Sequence, residues 1–229
     1  MKNVLVVAAH PDDEVLGCGG AIARHAADGD AVTVLILAEG STSRSAVRDR
    51  EAAAAELSEL AKAANKANAL LGVSTVLLRD FPDNRMDSVD LLDIVKSIEA
   101  VMSTRPPDVV YTHHAGDVNI DHRRIHEAVI AACRATPGQS VRQLLYFEVP
   151  SSSEWQTPGS APAFQPHVFI NIESTLARKL EALDCYASEM RDFPHPRSNR
   201  AVEALARWRG ASAGFMAAEA FVLGRLLIG

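Results

Sequence analysis

Aromatic side chains are scarce in this chain, at 5% of 229 residues. Its core must therefore be closed by aliphatic residues and by the abundant alanine, an arrangement that suits close helix-on-sheet packing. Cysteine is scarcer still. Cys18, Cys133 and Cys185 stand far apart, and no Cys-x-x-Cys pair occurs. That argues against a thiolate metal site or a redox pair and fits a reducing compartment. Long apolar runs are missing too. The first, Val4 to Ala9, is too short for the core of a signal peptide, and no stretch approaches the length of a membrane span. Nor is there a run of lysine or arginine. With a formal net charge of −6, the chain lacks the footprint of a nucleic-acid binder. A cytoplasmic protein with no membrane and no nucleic-acid partner is expected.

What is present is an alternation of short apolar runs with helical segments. Val4 to Ala9, Ala31 to Ala38, Val73 to Leu78 and Asp108 to Thr112 lack polar alternation, as strands covered on both faces do. Between them lie predicted helices at Gly20 to Ala27, Ser45 to Leu71 and Ser88 to Met102. The third carries Val89, Leu92, Val95 and Ile98 at helical spacing, and Pro106-Pro107 ends it. This order predicts an α/β fold: a Rossmann-like, doubly wound, mostly parallel sheet flanked by helices, with strand order near 3-2-1-4-5. Further on, the pattern predicts a helix over His122 to Arg134, a strand over Gln143 to Val149 and an edge strand over His167 to Asn171. Helices are predicted over Glu173 to Met190, Asn199 to Arg209 and Gly214 to Leu227, with a proline-rich break at Asp192 to Ser198. No repeat or linker divides the chain, so residues 1–229 are expected to form one domain.

His10-Pro11-Asp12-Asp13-Glu14 follows the first strand directly. Ligands of open α/β sheets sit beyond the carboxyl ends of the strands. A histidine and a carboxylate two or three residues apart can converge there on one cation, with zinc, iron or manganese suited to the donor types. Gly17, Gly19 and Gly20 let the backbone pass close to such a site. The bland alternative is a surface turn ahead of a capped helix. A dinucleotide loop is disfavoured, because the spacing is not Gly-x-Gly-x-x-Gly and carboxylates occupy the place of a pyrophosphate. The second polar segment, His113 to His122, follows the fourth strand. If the first and fourth strands are neighbours, His122 meets His10 and Asp13, leaving an open coordination position for water. His126 shares a helix face with His122. It is either a rival ligand or a packed histidine. Asp121 caps the helix, orients an imidazole, or both. Of His113 and His114, at least one is expected to be structural.

The strings Ala9-His10-Pro11-Asp12-Asp13-Glu14 and Asp121-His122 resemble the signature of the PIG-L (LmbE-like) family of metal-dependent deacetylases. Arg48-x-x-Glu51, Pro82-Asp83-Asn84-Arg85 and Ala218-Glu219-Ala220-Phe221 resemble further landmarks of that family. The resemblance implies that His10, Asp13 and His122 hold Zn2+ or another divalent transition metal, and that Asp12 is the general base. It also marks a departure. The family often places a helper histidine three residues before the ligand histidine, and here that position is Asn119. An amide can donate a hydrogen bond to an oxyanion but cannot supply a proton, so His195, His113 and His114 become candidates for that part. The implied activity is zinc-dependent hydrolysis of an N-acyl group, acetyl foremost, from a small molecule containing an amino sugar. A homo-oligomer is compatible with it. Arg48 and Asp83 are substrate contacts or ion-pair partners, and Trp155 is a stacking platform or a gap filler. Phe193 to Arg197 reads either as a rigid loop able to roof a pocket or as a proline-punctuated connection between helices. The rival readings are a metal-dependent phosphoesterase, which would favour carboxylates over imidazoles, and a non-catalytic metal- or sugar-binding module.

Overall fold

A computed structural model describes residues 1–228. Seven strands form a single sheet: β1 (Asn3–Ala8), β2 (Ala31–Ala38), β3 (Thr75–Phe81), β4 (Val109–His113), β5 (Gln143–Phe147), β6 (Val168–Asn171) and β7 (Ala218–Leu226). Their order is β3-β2-β1-β4-β5-β7-β6. The first five are parallel, and β7 runs antiparallel to both β5 and β6. The expected 3-2-1-4-5 order is thus extended by an antiparallel pair on one edge. Among the described residues, six α-helices flank the sheet: α1 (Asp13–Ala27), α2 (Ala54–Leu71), α3 (Leu91–Thr104), α4 (Ile120–Ala132), α5 (Leu176–Asp184) and α6 (Asn199–Ala211).

Strand period sorts the core into two layers. Val4, Val6 and Ala8 of β1 pack with Ile22 of α1, Leu71 of α2 and Leu183 of α5. Leu5, Val7 and Ala9 pack on the other face with Ile94 and Ile98 of α3 and Ile125 and Val129 of α4. Both faces of β1 are therefore covered, which is why its sequence is apolar throughout. Because β1 is hydrogen-bonded to β4 (Val4 opposite Val109), the loops that leave these two strands emerge side by side.

Several elements differ from expectation. The predicted helix at Gly20 to Ala27 is the second half of α1, which already begins at Asp13 and bends at Cys18 (φ −148). The bend is braced from outside the helix. The backbone N–H groups of Gly20 and Ala21 donate to the Glu219 carboxylate, and Lys179 Nζ donates to Leu16 O and to Glu219 Oε1. Gly17 and Gly20 serve helix packing rather than ligand approach. A Cβ on Gly17 would lie 2.3 Å from Phe147 Cδ2, and one on Gly20 2.8 Å from Ile172 Cδ1. Helix α2 starts at Ala54 and not at Ser45, since the preceding segment is drawn off by ion pairs from Arg48 and Arg50 to Glu39.

The predicted helix at Gly214 to Leu227 is incorrect: most of it is strand β7. Alanine and leucine favour a helix, but insertion between β5 and β6 buries Ala218, Ala220 and Phe221 in the sheet, and tertiary packing overrides propensity. Gly224 carries the overlooked signal. It lies under Tyr146, whose Oη would be 2.2 Å from a Cβ there, as glycines in strands often mark close approach. Among the described residues, no helix is long and apolar enough to cross a membrane.

Candidate active site

The chain leaves β1 through His10, Pro11 and Asp12 and enters α1 at Asp13. Asp12 adopts φ 122, ψ −29, a conformation that strains a non-glycine residue and persists only where its surroundings impose it. Here they do. The Asp12 carbonyl accepts from the N–H of Val15 (3.0 Å) and Leu16 (2.8 Å), and its own N–H donates to Glu14 Oε2 at 3.1 Å. Glu14 is buried and held in turn by the Tyr186 hydroxyl (2.6 Å) and Asn68 Nδ2 (2.8 Å). The turn sends the adjacent carboxylates of Asp12 and Asp13 to different partners.

Asp13 Oδ2 lies 3.1 Å from His10 Nδ1 and 3.1 Å from His122 Nε2. His122 arrives from the first turn of α4, after β4. The three side chains place ligand atoms within 4.8 Å of one another, the spacing of donors that share one ion at about 2.0–2.2 Å. Asp13 Oδ1 and His122 Nε2 are buried and have no hydrogen-bond partner among the described residues. Buried polar atoms of this kind call for an explanation, and a divalent cation bound by two imidazoles and a carboxylate supplies one.

The far nitrogen of each imidazole is held by carboxylates. His10 Nε2 lies 3.0 Å from Asp121 Oδ2 and 3.2 Å from Asp83 Oδ1. Asp121 is fixed by the N–H groups of Asn84 (2.7 Å) and Met86 (2.9 Å). His122 Nδ1 lies 3.1 Å from Asp117 Oδ2. Asp117 is fixed by the hydroxyls of Ser152 and Ser153 and by the Asn119 N–H. Such partners set the tautomer and orientation of metal-binding histidines. Burial would depress both imidazoles. The carboxylates outweigh it, holding His10 well above the usual histidine range and His122 up to about 9. Asp83, which burial would raise, is held down to about 2 by His10 and Ser43. Both rings thus sit among carboxylates that outweigh the cost of their burial.

Asp12 is 1% exposed. Burial pushes its carboxyl up to about 8; Arg197 opposes the rise, while Asp13, Glu189 and Glu14 add to it. Its Oδ2 accepts from Arg197 Nη1 at 2.8 Å, and its Oδ1 has no partner among the described residues. One carboxylate therefore stands beside the His–Asp–His set without belonging to it.

The other candidates fall outside that set. Asn119 caps α4, its Oδ1 accepting from the Asp121 N–H at 2.8 Å and its Nδ2 donating to Asn84 Oδ1 at 2.9 Å. His113 Nε2 accepts from the Ala9 N–H at 2.8 Å, and its ring stacks on His122 with centroids 3.9 Å apart. Burial lowers its basicity well below the usual range. His114 Nε2 bonds the Pro162 carbonyl (2.9 Å), and His126 Nδ1 bonds that of His113 (3.0 Å). His126 thus packs against the His113 carbonyl, and it is not among the converging ligand atoms of the described residues. His195 Nδ1 accepts from the Arg197 N–H (3.1 Å), and its ring meets Trp155 edge-on. Arg48 is paired through two nitrogens with Glu39. Asp117, and Arg197 at the end of the stretch read as a pocket roof, are neighbours of the set to which the sequence reading gave no individual role. Asp117 stood in plain view inside the polar string before His122. Arg197 comes from a loop far along the chain, and only folding brings it to Asp12.

The profile of the PIG-L family, described as GlcNAc-PI de-N-acetylase, matches residues 5–133. The uncharacterized deacetylase YaiS of Escherichia coli K12 is 30% identical over 193 residues, covering 82% of this chain and 91% of that protein. The 1D-myo-inositol 2-acetamido-2-deoxy-alpha-D-glucopyranoside deacetylase of Actinosynnema mirum is 29% identical over 235 residues, covering 82% and 81%. Among solved structures, the 4-carboxy-2-hydroxymuconate hydratase GalB of Pseudomonas putida KT2440 superposes with a TM-score of 0.75 at 25% identity, covering 100% of this chain and 98% of that one.

Proposed function

The chain belongs to the PIG-L family, and from that premise we propose that it is a zinc-dependent deacetylase acting on an N-acetylated amino sugar carried in a small glycoconjugate. The observation that carries the reading is the convergence of His10, Asp13 and His122, with the residue next to Asp13 in the chain, Asp12, buried and one of its oxygens free. Two imidazoles beside one carboxylate suit zinc better than magnesium, which prefers oxygen donors. That weighs against a phosphoesterase.

Zinc held by His10, Asp13 and His122 would polarise the acyl carbonyl and acidify water. Asp12 is the general base: its free Oδ1 takes a proton as the water oxygen bonds the carbonyl carbon. When the carbon–nitrogen bond breaks, the same carboxyl returns the proton to the departing nitrogen, giving acetate and a free amine. Asn119, occupied as a helix cap, leaves this return to Asp12. His195, which packs against Trp155 two residues before Arg197, is the second candidate for supplying that proton. Asp83 and Asp121 orient His10. Arg48 shapes the neighbouring loop through Glu39. The scattered cysteines, with no Cys-x-x-Cys pair, fit work in the cytoplasm.

The test is incubation of zinc-loaded protein with a panel of N-acetylated sugars and glycosides, measuring primary amine and acetate together. Equal release of both is the expected result. Release of neither, with hydration of an unsaturated acid instead, would align the chain with the hydratase that shares its fold.

A further inference from the structure

The proposed mechanism asks one carboxylate to accept a proton and give it back, and so depends on that carboxylate staying in place. Asp12 is buried and held in a strained backbone conformation, its N–H donating to Glu14 Oε2. The cation in hydrogen-bond contact with it is Arg197.

Arg197 is itself fixed at several atoms. Its N–H donates to His195 Nδ1, its carbonyl accepts from the Arg191 N–H at 3.3 Å, and its Nε donates to Ser151 Oγ at 2.7 Å. Ser151, at φ 71, opens the turn whose next residues, Ser152 and Ser153, hold Asp117. Asp117 holds His122. One short segment, residues 151–153, thus braces both the base, through Arg197, and a metal-site imidazole, through Asp117. The guanidinium grips a single Asp12 oxygen, Oδ2, and leaves Oδ1 as the atom without a partner.

We infer that Arg197, anchored by Ser151, is a positioning residue that holds Asp12 by Oδ2 so that Oδ1 is the atom that exchanges the proton. The inference rests on the reading of Asp12 as the base. Arg197 remains protonated throughout; the proton passes from water to Asp12 Oδ1 and on to the leaving nitrogen.

The test uses zinc-loaded wild type, Asp12→Asn, Arg197→Ala, the double variant and Ser151→Ala. Arg197→Ala is expected to lower kcat about 100-fold, the loss that a misplaced group causes, with KM and zinc content little changed and partial rescue by added guanidinium. In the Asp12→Asn background the same change should cost almost nothing further. Ser151→Ala should lower kcat in the same sense but less, which keeps the proposal testable if Arg197→Ala folds poorly. A rise in KM at constant kcat would make Arg197 a substrate contact and overturn the proposal, as would losses that multiply in the double variant. Melting temperatures of the same proteins give a second cycle that needs no substrate. Additive shifts there overturn the pair, whereas coupled shifts in a protein that releases no amine overturn the deacetylase reading alone.

Discussion

Asp117 and His122 meet through the ring nitrogen that faces away from Asp13: Nδ1 lies 3.1 Å from Asp117 Oδ2, while Nε2 lies 3.1 Å from Asp13 Oδ2. The imidazole is therefore addressed from both sides. Asp117→Asn should keep the ring in place but remove the charge that fixes its proton on Nδ1. Loss of such a partner weakens metal affinity about 10–100-fold. Competition with a chromogenic chelator measures it, and unchanged zinc affinity would reduce Asp117 to a loop anchor.

Base and ligands are separable by their effects on metal. Asp12→Asn should retain stoichiometric zinc and lose roughly 10²–10⁴-fold in kcat, the range of general acid–base catalysis. His10→Ala or Asp13→Ala should lose both zinc and turnover. Elemental analysis beside a rate assay checks this, and an Asp12→Asn protein that still turns over at nearly the wild-type rate would remove Asp12 as base.

Stripping the metal should destabilise the fold as well as stop turnover. A ligand that binds only the native state at 100 times its Kd adds about 2.7 kcal/mol. Chelator treatment is therefore expected to lower Tm, and stoichiometric zinc to restore it. A Tm indifferent to chelator and zinc would argue against a bound ion.

Glu39 provides a pH-dependent contribution away from the metal. Burial would raise its carboxyl, but Arg48, Thr42 and Arg50 hold it below the usual glutamate range. A depressed carboxyl stabilises the fold above its unfolded-state pKa, and that stability disappears as pH falls through the lower folded value. Glu39→Gln should thus cost about 1–3 kcal/mol near neutrality, with the gap from wild type closing as pH drops below about 4. Denaturant melts across pH give the curve; a gap that stayed constant would mean the lost contact is not ionic.

Gly17→Ala tests the packing role of the glycine run. A methyl group aimed at the Phe147 ring should cost about 1–3 kcal/mol as an overpacked contact, or about 2–4 °C in Tm per kcal/mol for a chain of this size. If stability is unchanged while substrate binding weakens, the glycine serves the ligand after all.

The parallel half of the fold is legible because β1, β2 and β4 are buried on both faces and so carry unbroken apolar runs. The convergence of His10, Asp13 and His122 is legible for a related reason: short polar strings after such strands fall at one end of the sheet. Local pattern fails where distant contacts decide. Ala218 to Leu226 has helical composition but fills a gap between two strands. The bend at Cys18 depends on Lys179 and Glu219, far along the chain. Arg197 reaches Asp12 across 185 positions, and nothing near either residue announces the other. Asn119 is the reverse case, a departure visible in the sequence whose use as a helix cap only the structure shows.

The placement of β7 between β5 and β6 also bears on how the molecule is made. Among the described residues, β6 has no sheet neighbour except β7, and the brace on the α1 bend comes from Glu219 within β7. A ribosome-bound chain that has not yet released residues 218–226 can assemble the parallel strands, but must leave β6 undocked and the first helix without its clamp. Deleting residues 218–226 should therefore yield a protease-sensitive species rather than a shortened working protein.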